Sequence, residues 1–510
     1  MLNFASVLER NAYRYADRVA LSEGGRDLTY AQLSARVNTL AAALRDLQVG
    51  SGDIVAVLLY NRVEFLETML AANRIGAAIL PLNYRLSPAE WHYILDHSGA
   101  VAIVTEAEFT GAIDGLPGPL PALSHRITLD APPGPLWIEY GDLIRRHVGL
   151  TTPIVDVDGD ALQRLMYTSG TTSRPKGVMI SHQNLIWKNF AHILEFSLTA
   201  EDHTLVCGPL YHVGGMDLPG LATFHAGGRL SLLRRFDAAA VADAIERLRP
   251  TNVWLAPSMM NALLQLPDIE DRDTSSIRFI SGGGEKMPVP LLDRIARAFP
   301  SAWFADAYGL TETVSGDTVN DAAHMRSKVG SVGRPVAHVR IEIVDDAGLP
   351  VLAGQLGEIV IRGPKVMAGY WRDDDATRKA LRDGWFHTGD IGRLDEDGYL
   401  YVEDRKKDMI VSGGENIATP EVERVLYECP DVVEAAVIGM PHPRWGEVPK
   451  AFVVLRADST VQPGDLQDFC RERLAKYKVP AEIICIDTLP RTPSGKVLKR
   501  VLRDDRGEQK

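Results

Sequence analysis

Cysteine is scarce in this 510-residue chain: Cys207, Cys429, Cys470 and Cys485 are the only four. None forms a C-x-x-C pair or stands at metal-ligand spacing, which speaks against a disulfide framework or a cysteine-built metal site and points to a reducing compartment. Basic residues are outnumbered, 55 against 67 acidic ones, for a formal charge of −12. That balance argues against nucleic acid as a partner, because general binding needs a basic surface. It leaves room for a local basic patch around a phosphate ligand. No run approaches the ~20 apolar residues that span a bilayer. Residues 1–19 lack a basic segment followed by an apolar one, so neither a signal peptide nor an integral membrane segment is expected. The expectation is a soluble, cytoplasmic protein. What is present is an ordinary globular mixture, 45% hydrophobic and 24% charged. A chain of this length can bury several cores without a metal or a disulfide.

The N-terminal part alternates helix and strand patterns. Thr29 and Gln32 have the spacing of a capping box. Behind them Leu33, Val37, Leu40, Leu44 and Leu47 recur at steps of four and three, which makes one helical face apolar. The stretch 53–59 reads as a buried strand, a helix follows Asn61, and 101–104 reads as the next strand. This βαβ rhythm implies parallel sheets flanked by helices. The Pro- and Gly-rich stretch from Gly115 to Pro135 reads as a surface excursion. From Arg340 the texture changes to alternating strands, at 340–344 and 358–362, of a smaller sheet or barrel. After the polar run 403–408 comes a compact α+β pattern: a helix from Pro420, strands near 433–438 and 451–455, a helix over 464–477 and a strand at 483–486. The predicted fold class is α/β, with a large N-terminal domain of flanked parallel sheets plus a small β-barrel-like part, then a small α+β C-terminal domain. The polar run sets the expected boundary, giving residues 1–404 and 405–510.

The strongest local signal is the segment from Tyr167 to Gly177. It holds Thr168, Ser169, Gly170, Thr171, Thr172 and Ser173, then Arg174, Pro175 and Lys176. Glycines let backbone N–H groups face an anion, hydroxyls add donors, and Lys176 adds a charge suited to a terminal phosphate. An ordinary turn is the commoner meaning of such composition, but the length, the order and the Pro-Lys-Gly ending are specific. No G-x-x-x-x-G-K-[S/T] occurs, which disfavours a P-loop NTPase.

This segment resembles the phosphate loop of the adenylate-forming superfamily, which includes acyl-CoA synthetases, adenylation domains of peptide synthetases and firefly luciferase. The family usually has Gly where Ser173 stands. Further segments resemble the family's motifs in the same order: Pro209–Gly215 with His212, Gly282–Gly284, Tyr308–Glu312, His387–Asp390, Asp404–Asp408, Ser412–Asn416, Tyr477–Pro480 and Pro490–Lys496. After the glycines this chain has Glu285 and Lys286 where relatives often have a small residue and proline. The likeness runs over nearly the whole chain.

The resemblance implies an ATP-dependent acyl-CoA synthetase, an acid–thiol ligase that makes acyl-AMP and then a thioester. The implied catalytic residues are Lys496, Thr168, Thr171, His212 and Glu312. Nucleotide contacts would come from Thr168, Ser169, Gly170, Thr171, Thr172, Lys176, Gly283, Gly284, Asp306, Tyr308, Gly309, Thr311, Asp390, Arg405 and Lys496. The segment His387–Asp390 reads as a turn that presents a carboxylate; such a group suits a ribose diol as a double acceptor, and an aromatic ring such as Tyr308 can stack on adenine. Glu312 would hold Mg²⁺, with Thr168 as a second oxygen ligand. Ser412, Gly413 and Gly414 would serve the thioester step after rotation about Lys407. ATP, Mg²⁺ and coenzyme A are the implied cofactors. An acyl carrier protein is the alternative acceptor, and a homodimer belongs to the same expectation. A catalytically silent nucleotide-binding homologue is a further alternative, against which the intact Lys496, Glu312 and Asp390 argue.

The acyl pocket should lie between residues 212–216, 254–260 and 281–284, with Met216 and Met259 as pliable walls. It should take a hydrophobic or bulky acid. Val213 follows His212 where amino-acid adenylation domains carry an Asp, which speaks against an amino acid as substrate.

Overall fold

The computed structural model describes residues 2–168, 174–283, 289–405, 408–412, 415–491 and 497–504. Two large sheets form the N-terminal part. The first runs, strand by strand, Gly369–Tyr370, Lys176–Ser181, Leu162–Thr168, Ala78–Pro81, Ile54–Leu58, Ala102–Thr105, His125–Thr128 and Trp137–Glu139. The second runs Arg334–Pro335, Thr318–Val319, Trp303–Tyr308, Phe279–Gly283, Asn252–Trp254, His203–Val206, Arg229–Leu232, Val19–Glu23 and Arg26–Thr29. Their central strands are parallel.

The expected local signals are present. The helix Tyr30–Asp46 starts with the Thr29/Gln32 capping box and buries Leu33, Val37, Leu40 and Leu44. The strand Ile54–Leu58 is buried along its whole length because helices cover both faces of a parallel sheet. A five-stranded antiparallel sheet follows, built from Arg340–Val344, Gly357–Arg362, Leu381–Arg382, Trp385–Leu394 and Leu400–Arg405. A last sheet carries Ile410–Ser412, Glu415–Ile417, Val432–His442, Gly446–Leu455 and Glu482–Cys485, with the helices Thr419–Tyr427 and Pro463–Arg471 against it.

Three local expectations are corrected. The stretch 115–135 is not wholly an excursion: His125–Thr128 is a strand of the first sheet, paired with Ala102–Thr105. Its four residues are too few for a visible alternation, and turn residues surround them. The helix expected over 464–477 stops at Arg471, and Lys476–Lys478 form a separate turn. Asp390 does not sit at a turn. It lies inside the long strand Trp385–Leu394, where the pairing register shifts opposite Glu358–Val360 and Gly389 has φ +71°. The bulge aims the carboxylate out of the regular pleat.

Buried histidines give the fold a pH signature. Burial pushes His182 and His203 down to about 4. His182 Nδ1 accepts the Phe4 N–H at 3.0 Å, and His203 Nε2 lies 2.7 Å from Ser231 Oγ. Between pH 6.5 and 4 the unfolded chain binds protons that the folded chain refuses, so stability falls as pH falls through this window. The loss approaches about 3 kcal/mol for each histidine. His203→Gln should flatten this decline in Tm; a parallel decline in parent and variant would remove His203 from the account.

Candidate adenylation site

A cavity opens where the second sheet's strand ends meet the helical turn after Tyr308. It is lined by His212, Val213, Gly214, Leu218, Trp254, Gly283, Ala307, Gly309, Leu310, Thr311, Ser315 and Gly316. His212 precedes the short helix Val213–Met216, and its Nδ1 accepts the Gly214 N–H at 3.1 Å. That bond leaves the ring proton on Nε2. The Trp254 indole lies 6.1 Å from the His212 ring, centroid to centroid. A Cβ on Gly214 would stand 2.4 Å from Trp254 Cζ2, so the indole packs where only glycine leaves room. Gly309 does the same for the backbone: its Cβ would meet Gly316 N at 2.4 Å. The methionines take no part in these walls. Met216 is buried in the core, and Met259 packs against two neighbouring apolar clusters.

Of the residues expected at the nucleotide, Gly283, Gly309 and Thr311 line this cavity. Asp306 and Tyr308 lie on the strand Trp303–Tyr308, and Gly283 pairs with Ala307. Tyr308 donates its hydroxyl to Asp390 Oδ2 at 2.7 Å, and Arg405 Nε stands 3.1 Å from Asp390 Oδ1. Burial opposes the charge on Arg405, but Asp390 and other acidic neighbours outweigh it and raise the pKa. Burial, and then Asp390, raise Tyr308 well above the usual tyrosine range, so it stays a neutral donor. Each Asp390 oxygen keeps a lone pair for a further donor.

Thr311 and Glu312 begin the turn Thr311–Thr313. Glu312 Oε1 accepts the Tyr370 hydroxyl at 3.0 Å, and Lys176 Nζ lies 5.0 Å from the Tyr370 ring centroid. Tyr370 thus joins the lysine of the hydroxyl-rich segment to the acidic residue, a link that sequence reasoning missed. Thr168 ends its strand opposite Lys176. Among the described residues, no group of three His, Cys, Asp or Glu side chains could hold a metal. Carboxylate and hydroxyl oxygens, the donors that Glu312 and Thr168 carry, are of the type that suits Mg²⁺ when phosphate oxygens complete its shell.

Ser412 is buried in the C-terminal sheet, paired with Glu415 and Gly446, and does not line the cavity. Ser169, Gly170, Thr171, Thr172, Gly284, Lys407, Gly413, Gly414 and Lys496 lie outside the described residues.

Residues 8–371 match the profile of the AMP-binding enzyme family, and residues 421–496 match its C-terminal domain. This chain belongs to the AMP-binding enzyme family. The feruloyl-CoA synthase of an Amycolatopsis species is 41% identical, with 97% of each chain covered. The indoleacetate–CoA ligase of Aromatoleum aromaticum is 38% identical, with 98% of each covered. Among solved structures, an anthranilate–CoA ligase in complex with anthranoyl-AMP superposes with a TM-score of 0.92 at 29% identity, covering 98% of this chain and 96% of that one.

In this AMP-binding enzyme the Gly214–Trp254 contact is directly testable. Gly214→Ala should displace the indole into the cavity and raise KM for the acid roughly ten- to hundred-fold, with KM for ATP unchanged. An unchanged KM for the acid would show that Trp254 does not wall the acyl site. No helix of the described residues is long and apolar enough to cross a membrane.

Proposed function

We propose that this enzyme joins an aromatic carboxylic acid to coenzyme A, with ATP and Mg²⁺, releasing AMP and pyrophosphate. One observation carries the reading. The cavity walled by the Trp254 indole is also lined by Gly309, Leu310 and Thr311, the segment between Tyr308 and Glu312. An acid held there lies against the residues that suit a nucleotide. A flat indole, an imidazole and a row of glycines leave a slot for a planar ring. The named acids of the similar enzymes are aromatic too.

A carboxylate is a poor acyl donor because hydroxide leaves badly. Its oxygen attacks the α-phosphorus of ATP and pyrophosphate departs. The thiol of coenzyme A then attacks the acyl carbonyl and AMP departs. In the first step negative charge builds on phosphoryl oxygens, so donors and cations placed for it lower the barrier. Thr311 donates to the α-phosphate, Lys176 neutralises the terminal phosphates, and Asp390, oriented by Tyr308 and Arg405, accepts from the ribose hydroxyls. Glu312 and Thr168 would hold Mg²⁺, which would supply charge neutralisation at the phosphates. Lys496 completes the first half-reaction. Residues 405–510 then turn about Lys407 so that Ser412, Gly413 and Gly414 serve the second. We place the reaction in the cytoplasm, in keeping with a chain whose four cysteines form no C-x-x-C pair.

Pyrophosphate release over a panel of acids, with and without coenzyme A, tests this. Aromatic acids should release pyrophosphate, and coenzyme A should make it catalytic with an aryl thioester as product. Turnover with aliphatic acids alone would refute the aromatic assignment. Thioester formed only on a carrier protein would replace the acceptor. Whether the protein is a homodimer is read from its mass in solution.

A further inference from the structure

Beneath the cavity lies a layer of charge that the mechanism does not use. Arg164, Lys188, Asp217, Asp317 and Lys365 are each at most 1% exposed. They come from distant parts of the chain: a strand of the first sheet, the helix His182–Glu195, the turn after Met216, the segment after Ser315 and the loop before Met367. Burying three cations and two carboxylates is costly, and well-packed apolar residues usually give equal or better stability. The geometry they impose is therefore the quantity to examine.

One set of contacts fixes the wall that carries His212, Val213, Gly214 and Leu218. Asp217 Oδ2 accepts from Arg164 Nη2 at 2.6 Å, and the Asp217 backbone carbonyl accepts from Lys188 Nζ at 2.9 Å. Lys188 Nζ also lies 3.5 Å from Asp217 Oδ1. The other set fixes the part of the lining that carries Ser315 and Gly316. Val314, Ser315 and Gly316 have φ of 56°, 66° and 56°, three left-handed residues in succession. A β-branched residue in that region is rare, and such a turn persists only where its surroundings over-determine it. Lys365 Nζ does so: it donates to the carbonyls of Ser315 at 2.6 Å and Gly316 at 2.9 Å, and to Asp317 Oδ1 at 2.7 Å. The Thr313 hydroxyl holds the second Asp317 oxygen, and His192 Nε2 lies 3.1 Å from the Gly316 carbonyl. Ser315 and Gly316 both line the cavity; none of the five charged residues does.

We propose that these buried charges are positioning residues that set the two parts of the acyl-pocket lining relative to each other and so select the acid. The proposal rests on the acyl assignment of the cavity. A wall displaced by about 1 Å can cost on the order of a hundred-fold in rate, and the cost depends on how far the substrate reaches between the walls. A bulky aromatic acid should suffer most and a small acid least.

The test uses Lys365→Met, Asp217→Asn and the double variant Lys365→Met/Asp317→Asn in the full-length enzyme. The quantity measured is the ratio of kcat/KM for the preferred aromatic acid to that for a small acid, with KM for ATP measured alongside. This ratio is independent of the fraction of enzyme that is folded. It should fall about ten-fold or more in each variant, with KM for ATP within two-fold of the parent. A purely structural role would lower Tm and active yield and leave the ratio at the parent value, which would overturn the proposal. Should Lys365→Met fail to fold, Asp217→Asn and the charge-free double variant decide by the same ratio. A parent enzyme that shows no aromatic-acid-dependent adenylation would instead overturn the functional reading itself.

Discussion

Replacing Lys496 with alanine is expected to slow aryl-AMP formation by at least about a hundred-fold, while thioester formation from supplied aryl-AMP stays close to the parent rate. The asymmetry follows from the chemistry. In the first half-reaction the bonds change at the α-phosphorus, where charge builds on the equatorial phosphoryl oxygens as pyrophosphate leaves; in the second they change at the acyl carbon, so a cation fitted to the phosphorus centre acts chiefly in the first step. The chain on either side of 492–496 is anchored. Arg491 pairs with Val497, and the helix Lys499–Asp504 follows. Lys499 Nζ stands 2.8 Å from Glu423 Oε1, and Arg503 Nη2 stands 2.7 Å from Asp408 Oδ1. Acid-dependent exchange between pyrophosphate and ATP reads the first step; appearance of aryl-CoA from added aryl-AMP reads the second. Equal slowing of both steps would assign Lys496 a structural role.

Glu312→Gln should have the second-largest effect. The substitution keeps an oxygen for the Tyr370 hydroxyl and removes the negative charge. Adenylation should fall by roughly a hundred-fold, and the Mg²⁺ concentration for half-maximal exchange should rise. KM for the acid should change little, because Glu312 does not line the cavity. A magnesium titration of the exchange rate separates the two quantities. An unchanged magnesium requirement would mean that Glu312 does not hold the ion.

How much of this was legible in the sequence depended on the range of the interaction. Signals that act within a few residues were plain. The Thr29/Gln32 box, the apolar face of Tyr30–Asp46 and the buried strand Ile54–Leu58 each follow from local spacing. The motif order from Tyr167 to Lys496 named the family, and the structure brings His212, Gly283, Gly309 and Thr311 to one cavity, with Asp306, Tyr308 and Glu312 on the segments that line it. Contacts between distant segments were not legible. Tyr370 meets Glu312 across 58 residues, and Lys365 meets Ser315 across 50. A lysine after Gly363 and Pro364 reads as a surface turn residue; only the tertiary fold buries it. Likewise nothing local marks Arg164, between Gln163 and Leu165, as the partner of Asp217. Such ion pairs are specified by the closure of the fold, which spacing along the chain does not encode.

A crystal structure of the enzyme with a non-reactive aryl-AMP mimic tests the central claim most directly. The account predicts the aryl ring between Trp254 and the Gly309–Gly316 backbone, with both ribose hydroxyls on Asp390. A mimic bound away from that cleft, or with its ribose turned from Asp390, would contradict it.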